Sequence, residues 1–170
     1  RLPGTTRAVL ASAEHVAVGA SLGMLDLVPT REEHTLVGHL GPDLLGRETE
    51  LEVVLDAYAA QGDRPVGEAL LDQRIACGIG TLYAAESLFL RRVDPWAGAG
   101  SLPRETLTAV LTTARSALVA NCSRAVQRTT PPSLREPTWV HGRARRPCLR
   151  CGTPVRVDPL GTPPTDRVLF

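Results

Sequence analysis

Two short stretches of this 170-residue sequence place chemically capable residue types at a useful spacing. The first is Cys148-Leu149-Arg150-Cys151-Gly152. Two thiolates two residues apart can wrap one tetrahedral zinc, and a glycine directly after the second lets turn N–H groups approach the sulfurs. This is half a site. A structural zinc takes four protein ligands, no second Cys-x-x-Cys follows before Phe170, and His141, seven residues upstream of Cys148, is an unforced third candidate. A redox dithiol is the rival reading. Such a pair wants a helix start after a strand, whereas Gly152-Thr153-Pro154 has the composition of a turn. Zinc is the preferred reading, with further ligands supplied from beyond the end. Cys77 and Cys122 are expected to be packing residues.

The second stretch is Asp72-Gln73-Arg74-Ile75-Ala76-Cys77-Gly78-Ile79-Gly80-Thr81, which reads as a helix, a Gly-x-Gly turn and the start of another helix. A helix that begins right after such a turn presents unpaired N–H groups and its positive dipole end, a setting for phosphate, and Thr81 adds a hydroxyl. The alternative is a tight helix-to-helix connection with no ligand. A dinucleotide fingerprint is excluded by the helix in front of the turn and by Tyr83 where a third glycine belongs.

Arg143, Arg145, Arg146 and Arg150 surround the cysteine pair, with Arg156 and Arg167 on short alternating runs beyond it. As rigid forks these could reach phosphates or a groove; the alternative is a solvated basic loop. Trp139 stands nearby to stack or to pack. No catalytic group emerges from spacing: His15, His34, His39 and His141 are scattered, and the acidic residues on helix faces, Glu86 included, read as solvated surface.

Composition narrows the chemistry further. All 19 basic side chains are arginine, which removes lysine Schiff-base chemistry, a P-loop lysine and a lysine general base. Through Pro103 there are eight arginines against 14 acidic residues; from Arg104 onward there are 11 against four. A basic second half in an otherwise acidic chain suggests that this end meets a polyanion, most simply nucleic acid. No apolar run approaches the roughly 18 residues of a membrane helix, and no signal peptide opens the chain, so no membrane partner and a cytoplasmic location are expected. The sequence starts at Arg1 and its one methionine is Met24, so an internal piece of a longer protein is expected.

The elements that must position these residues follow from periodicity. Thr6 to Ser12, His15 to Ser21 and Met24 to Val28 read as strands, and a short helix follows Pro29 and ends near Gly41-Pro42. Four helices then fill residues 47 to 126: one closing by Gly62 with Leu51, Val54, Leu55 and Tyr58 inward; one opening at Pro65, with Val66, Ala69, Leu70 and Gln73 on one face, and broken by Gly78; one from Thr81 to Arg92 burying Leu82, Ala85 and Phe89; and one from Pro103 to Val126 whose stripe runs from Leu107 to Cys122 and Ala125. Thr129 to Pro137 reads as a linker, and residues 138 to 170 as a small β element.

Together these residues resemble the formamidopyrimidine-DNA glycosylase and endonuclease VIII family of base-excision repair enzymes, over nearly the whole chain. His39-Leu40-Gly41-Pro42-Asp43-Leu44-Leu45 is similar to the family's linker, and Leu71-Asp72-Gln73 through Gly78-Ile79-Gly80 to its helix–two-turn–helix motif. Trp139-Val140-His141-Gly142-Arg143 with Cys148 to Gly152 resembles the entry to its zinc finger. The details resemble the actinobacterial endonuclease VIII-like branch. The resemblance implies an α+β fold: the end of an N-terminal β-sandwich over 1–30, a helix–two-turn–helix DNA-binding domain over 31–130, and a partial β-hairpin zinc finger over 138–170.

It further implies a bifunctional DNA glycosylase and AP lyase, acting as a monomer on double-stranded DNA with an oxidised base or an abasic site. In the family a proline amine attacks the sugar C1′ of a flipped nucleotide, an adjacent glutamate handles protons, and elimination from the Schiff base cuts the backbone. Arg1-Leu2-Pro3 does not match that start, so a chain without the catalytic N-terminus, binding DNA weakly and not cleaving it, is expected in a bacterial, nucleoid-associated setting. Carried over residue by residue, Cys148 and Cys151 are zinc ligands, and Gly78, Gly80, Thr81, Arg143 and Arg167 face DNA. Thr81 departs from the asparagine usual in relatives, and the family's hairpin goes on to a second Cys-Pro-x-Cys. A non-enzymatic nucleic-acid-binding module with the same helical motif and a zinc knuckle is the alternative function.

Overall fold

The structure, a computed structural model, describes residues 4–46 and 51–160, and the backbone of 167–169. The chain divides into two units, Arg1–His39 and Leu40–Phe170.

In the first unit β1 (Thr6–Ala11) pairs antiparallel with β2 (Val16–Ala20), placing Val9 opposite Val18 and Ala11 opposite Val16. Ser12 closes the turn, its hydroxyl accepting from the His15 N–H at 3.0 Å while its own N–H donates to the His15 carbonyl at 2.8 Å. The strand expected at Met24 to Val28 does not form. A strand exists by pairing, and among the described residues nothing pairs with this segment, whose Leu27 is wholly exposed. The single short helix expected after Pro29 is two pieces, a 3₁₀ turn at Thr30–Glu32 and α1 (His34–Val37).

The second unit is built on α2 (Leu51–Ala59), α3 (Val66–Leu70), α4 (Thr81–Arg91) and α5 (Arg104–Asn121). Val54, Leu55 and Tyr58 face inward from α2, Val66, Ala69 and Leu70 from α3, Ala84, Ala85 and Leu88 from α4, and Leu107, Val110, Leu111 and Ala114 from α5. In α2, α3 and α5 these are the 3.6-residue stripes legible in the sequence, whereas in α4, expected to bury Leu82, Ala85 and Phe89, only Ala85 of the three is buried; each fully buried leucine or valine contributes about 1.5–3 kcal/mol. Val140, Val155 and Leu160 complete the same core, so the C-terminal segment is packed on the helices and is not a tethered appendage. β3 (Asp158–Leu160) and β4 (Arg167–Leu169) pair antiparallel, Leu160 opposite Arg167. Val155, on an alternating run expected to be β, forms no named strand but is buried beside the antiparallel Pro147–Pro154 bridge, the Arg145 N–H donating to its carbonyl at 2.8 Å.

Two helices stop earlier than their patterns suggest. α3 ends at Leu70 because Asp72 captures the following backbone: its Oδ1 accepts from the Arg74 N–H at 3.1 Å, a local turn that competes with the helix. α5 ends at Asn121, whose Oδ1 accepts from the Arg128 N–H at 2.7 Å and whose Nδ2 donates to the Arg128 carbonyl at 2.9 Å, folding the chain back on itself. Cys122 is therefore exposed and not on the core stripe. The supposed linker at 129–137 is an organised loop wrapped around one guanidinium: Arg128 Nη1 donates to Thr130 Oγ1 and to the carbonyls of Pro131, Leu134 and Glu136.

Candidate nucleic-acid interface

The Gly-x-Gly turn is assembled from three directions. Gln73, expected on the buried face of a helix, lies in the turn and spans it: its Oε1 accepts from the Gly78 N–H at 3.0 Å and its Nε2 donates to the Ile79 carbonyl at 2.8 Å. Gly78 takes φ +110°, a region other residues rarely enter, so the reversal into the next helix depends on glycine there. The segment from Leu40 to Gly46 is laid against the loop from behind. Gly41 donates to the Gln73 carbonyl at 2.8 Å, Cys77 to the Pro42 carbonyl at 3.0 Å and Leu44 to the Cys77 carbonyl at 3.2 Å, with the Leu44 side chain wholly buried. A Cβ on Gly41 would stand 2.6 Å from the carbonyl oxygen of Arg74, so close an approach that glycine is required.

Gly80 then caps α4 in extended conformation, without a side-chain cap hydrogen bond, and a Cβ there would meet open space. Gly80 and Thr81 are exposed, and the first intrahelical bond runs from Ala84 to the Gly80 carbonyl. The N–H groups ahead of it are the donors that a phosphate oxygen takes at a helix start. Behind the turn, Asp72 holds two guanidiniums, Arg74 at 2.7 Å and Arg64 at 2.9 Å, and Arg64 also pairs with Glu68 at 2.9 Å. The hydrogen bonds from Arg74, joined by those from Arg64, outweigh burial and hold the Asp72 carboxyl well below the usual carboxylate range.

The other feature is the cysteine hairpin. Pro147 and Pro154 pair across it, Cys148 donates to the Thr153 carbonyl at 2.8 Å, Gly152 donates to the Cys148 carbonyl at 2.9 Å, and the Arg150 N–H points at the Cys148 sulfur at 3.4 Å. Hydrogen bonds from the Thr153 hydroxyl and backbone, and from Cys148, lower the Cys151 thiol below its ordinary value. Backbone N–H on sulfur and a favoured thiolate are what a zinc knuckle needs, so the pair fits one half of a tetrahedral site. Among the described residues no third Cys, His, Asp or Glu joins it, and His141 is not brought to the sulfurs.

The arginines divide. Arg143, expected to face DNA, is turned inward at 4% exposure: Nη2 donates to the Pro147 carbonyl at 2.7 Å and Nη1 lies 3.3 Å from Glu136 Oε2. Arg150 covers the Phe89 ring at 4.6 Å, with the Trp139 ring 5.5 Å away, and donates to the Phe89 carbonyl at 3.3 Å, so Trp139 packs. Arg145, Arg146 and Arg156 are exposed. Arg167 stands on β4, and its side chain lies outside the described residues.

Glu86 is the residue that spacing misread. It is 1% exposed, and its carboxylate accepts from the N–H groups of Trp139 (2.8 Å), Val140 (2.8 Å) and His141 (2.9 Å) and from the Thr129 hydroxyl. Burial pushes the neighbouring His141 imidazole below its ordinary range against the pull of Glu86. The one available signal was position: Glu86 falls among Tyr83, Ala84, Ala85 and Leu88, on a helix buried most of the way round.

Residues 40–130, from the segment behind the turn to the loop after α5, match the model of the formamidopyrimidine-DNA glycosylase H2TH domain. The chain belongs to the formamidopyrimidine-DNA glycosylase and endonuclease VIII family. It is 48% identical over 165 residues to a probable endonuclease 8 2 of Streptomyces coelicolor, covering 96% of this chain and 59% of that protein. It is 41% identical over 158 residues to the DNA-(apurinic or apyrimidinic site) lyase Nei2 of Mycolicibacterium smegmatis, covering 92% and 62% respectively. The chain thus spans about three fifths of these relatives. The fold is that of the glycosylase family: the MutM (Fpg) protein of Thermus thermophilus superposes with a TM-score of 0.71 at 24% identity over all of this chain and 68% of its own. The Lactococcus lactis Fpg, solved with DNA containing an abasic site, gives 0.64 at 16% identity over 84% of this chain and 55% of its own.

Proposed function

We propose that this chain carries the DNA-binding elements of a bifunctional DNA glycosylase and AP lyase that removes oxidised bases and cleaves abasic sites by elimination through a Schiff base. The observation that carries this reading is the α4 start: open N–H groups at Gly80 and Thr81, held rigidly by the Gln73 clamp and the Leu40–Gly46 segment, in a chain of this family. Gly78 and Gly80 let the backbone approach a phosphate, Thr81 adds its hydroxyl, and Arg167 on the hairpin supplies a second phosphate contact. Arg143 acts by bracing the hairpin entry against Glu136 and Pro147, not by direct contact.

Cys148 and Cys151 would hold a zinc that ties the hairpin ends together, a structural duty that needs two further ligands. These 170 residues hold no lysine, so none of them offers a lysine side chain for the Schiff base.

Titration of a labelled duplex containing a tetrahydrofuran abasic analogue, beside the intact duplex, tests the reading. The expected result is tighter binding to the abasic duplex, weakened by T81A. Equal affinity for both duplexes, unchanged by T81A, refutes lesion recognition by these elements.

A further inference from the structure

Glu86 lies five residues into α4, about 7.5 Å along the axis from its phosphate-facing start. Its two oxygens take four donors, Val140 and His141 on Oε1, and Trp139 with the Thr129 hydroxyl on Oε2. Three successive backbone N–H groups aimed at one point form an anion-binding nest, and here the anion is a side chain of another element. A carboxylate out of water is costly unless every lone pair is used, so this arrangement tolerates little displacement of residues 139–141. Those residues lead directly to Arg143 and Cys148, while Trp139 packs on Phe89 of the same helix with ring centroids 6.0 Å apart.

We propose that Glu86 is a positioning residue for DNA binding: it fixes the hairpin to α4, so that the phosphate contact at the helix start and the contact from the hairpin are made together. The inference rests on the DNA-binding reading above. Two contacts on one rigid body bind together without the ordering cost that a loose hairpin would add. Glutamine cannot substitute, because its amide nitrogen would confront N–H or O–H donors at one of the two oxygen positions.

The test is the salt dependence of binding to the abasic duplex for the wild-type chain, E86Q, R167A and the double variant. R167A and E86Q are each expected to weaken binding roughly tenfold and to lower the slope of log K against log salt by about one, the loss of one phosphate contact. The double variant loses no more than either alone, because both act through the hairpin. A purely internal role for Glu86 would lower the melting temperature but leave the slope of the folded protein unchanged. A folded E86Q with wild-type slope, or a double variant showing the sum of both losses, overturns the proposal. Should E86Q fail to fold, T129V removes one of the four donors and is expected to lose a smaller part of the same slope; a wild-type slope there overturns it equally. If the wild-type chain does not bind the duplex at all, the DNA-binding reading falls as well.

Discussion

Asp72 shows how one side chain can end a helix and hold two cations at once. Its pairing with Arg74 and Arg64 depresses its pKa, so the folded chain holds this proton less tightly than the unfolded chain, where an aspartate titrates near about 4. The stabilisation is therefore fully present above pH 4 and is lost as acid takes the pH below it, through the depressed value. D72N is expected to be less stable than wild type at pH 7, with the gap narrowing below pH 4, as measured by urea denaturation across that range; a gap that widens in acid would contradict the pairing. Residue roles of this kind were only partly legible. The turns at Gly78-Ile79-Gly80-Thr81 and at Cys148 to Cys151 are legible as turns because closely spaced glycines and cysteines mark them. Glu86 and Gln73 do not, since their partners lie far along the chain or in a turn whose geometry no periodicity encodes.

At the scale of elements, the start and end of α4 follow different rules. Its start was evident from the glycines, but its buried face was not: of the expected Leu82, Ala85 and Phe89 only Ala85 is buried, with Ala84 and Leu88 beside it, while Leu82 and Phe89 are half-buried. Its end is an arginine: Arg92 adopts the left-handed conformation at φ +58°, donating to the carbonyls of Leu88 and Phe89 where glycine is the usual choice. A residue with a Cβ is strained there, so R92G is expected to raise stability by about 1 kcal/mol, read from the urea midpoint. A loss of similar size would mean that the arginine side chain contributes more than its backbone costs. Side-chain capture also explains why α3 and α5 fall short of their patterns. Asp72 and Asn121 each offer the backbone a better partner than another helical turn, a choice made by tertiary context that hydrophobic spacing does not record.

For the whole molecule, the charge asymmetry of the sequence is real but misleading as a count of DNA contacts. Among the 11 arginines from Arg104 onward, Arg104 is paired with Glu52 and Asp56, Arg115 bonds the Gly46 carbonyl, Arg128 fills its loop, Arg143 is buried beside Glu136, and Arg150 lies over Phe89. Much of the basic half is therefore spent on joining elements, as fits arginine with its planar fork and several donors. If every one of the 11 neutralised a phosphate, log K would fall against log salt with a slope of roughly −10. Of the other six, Arg124 bonds the Ala120 carbonyl and Arg146 lies beside Glu136, which leaves the exposed Arg135, Arg145 and Arg156 and the proposed Arg167, beside the uncharged donors of the α4 start. Two to four phosphates give a slope of about −2 to −4. We expect that value for the chain on duplex DNA between about 50 and 200 mM salt, a range in which a slope near −10 would cost several decades of affinity. A measured slope near −10 would show that the guanidiniums assigned here to internal contacts release their partners when DNA binds.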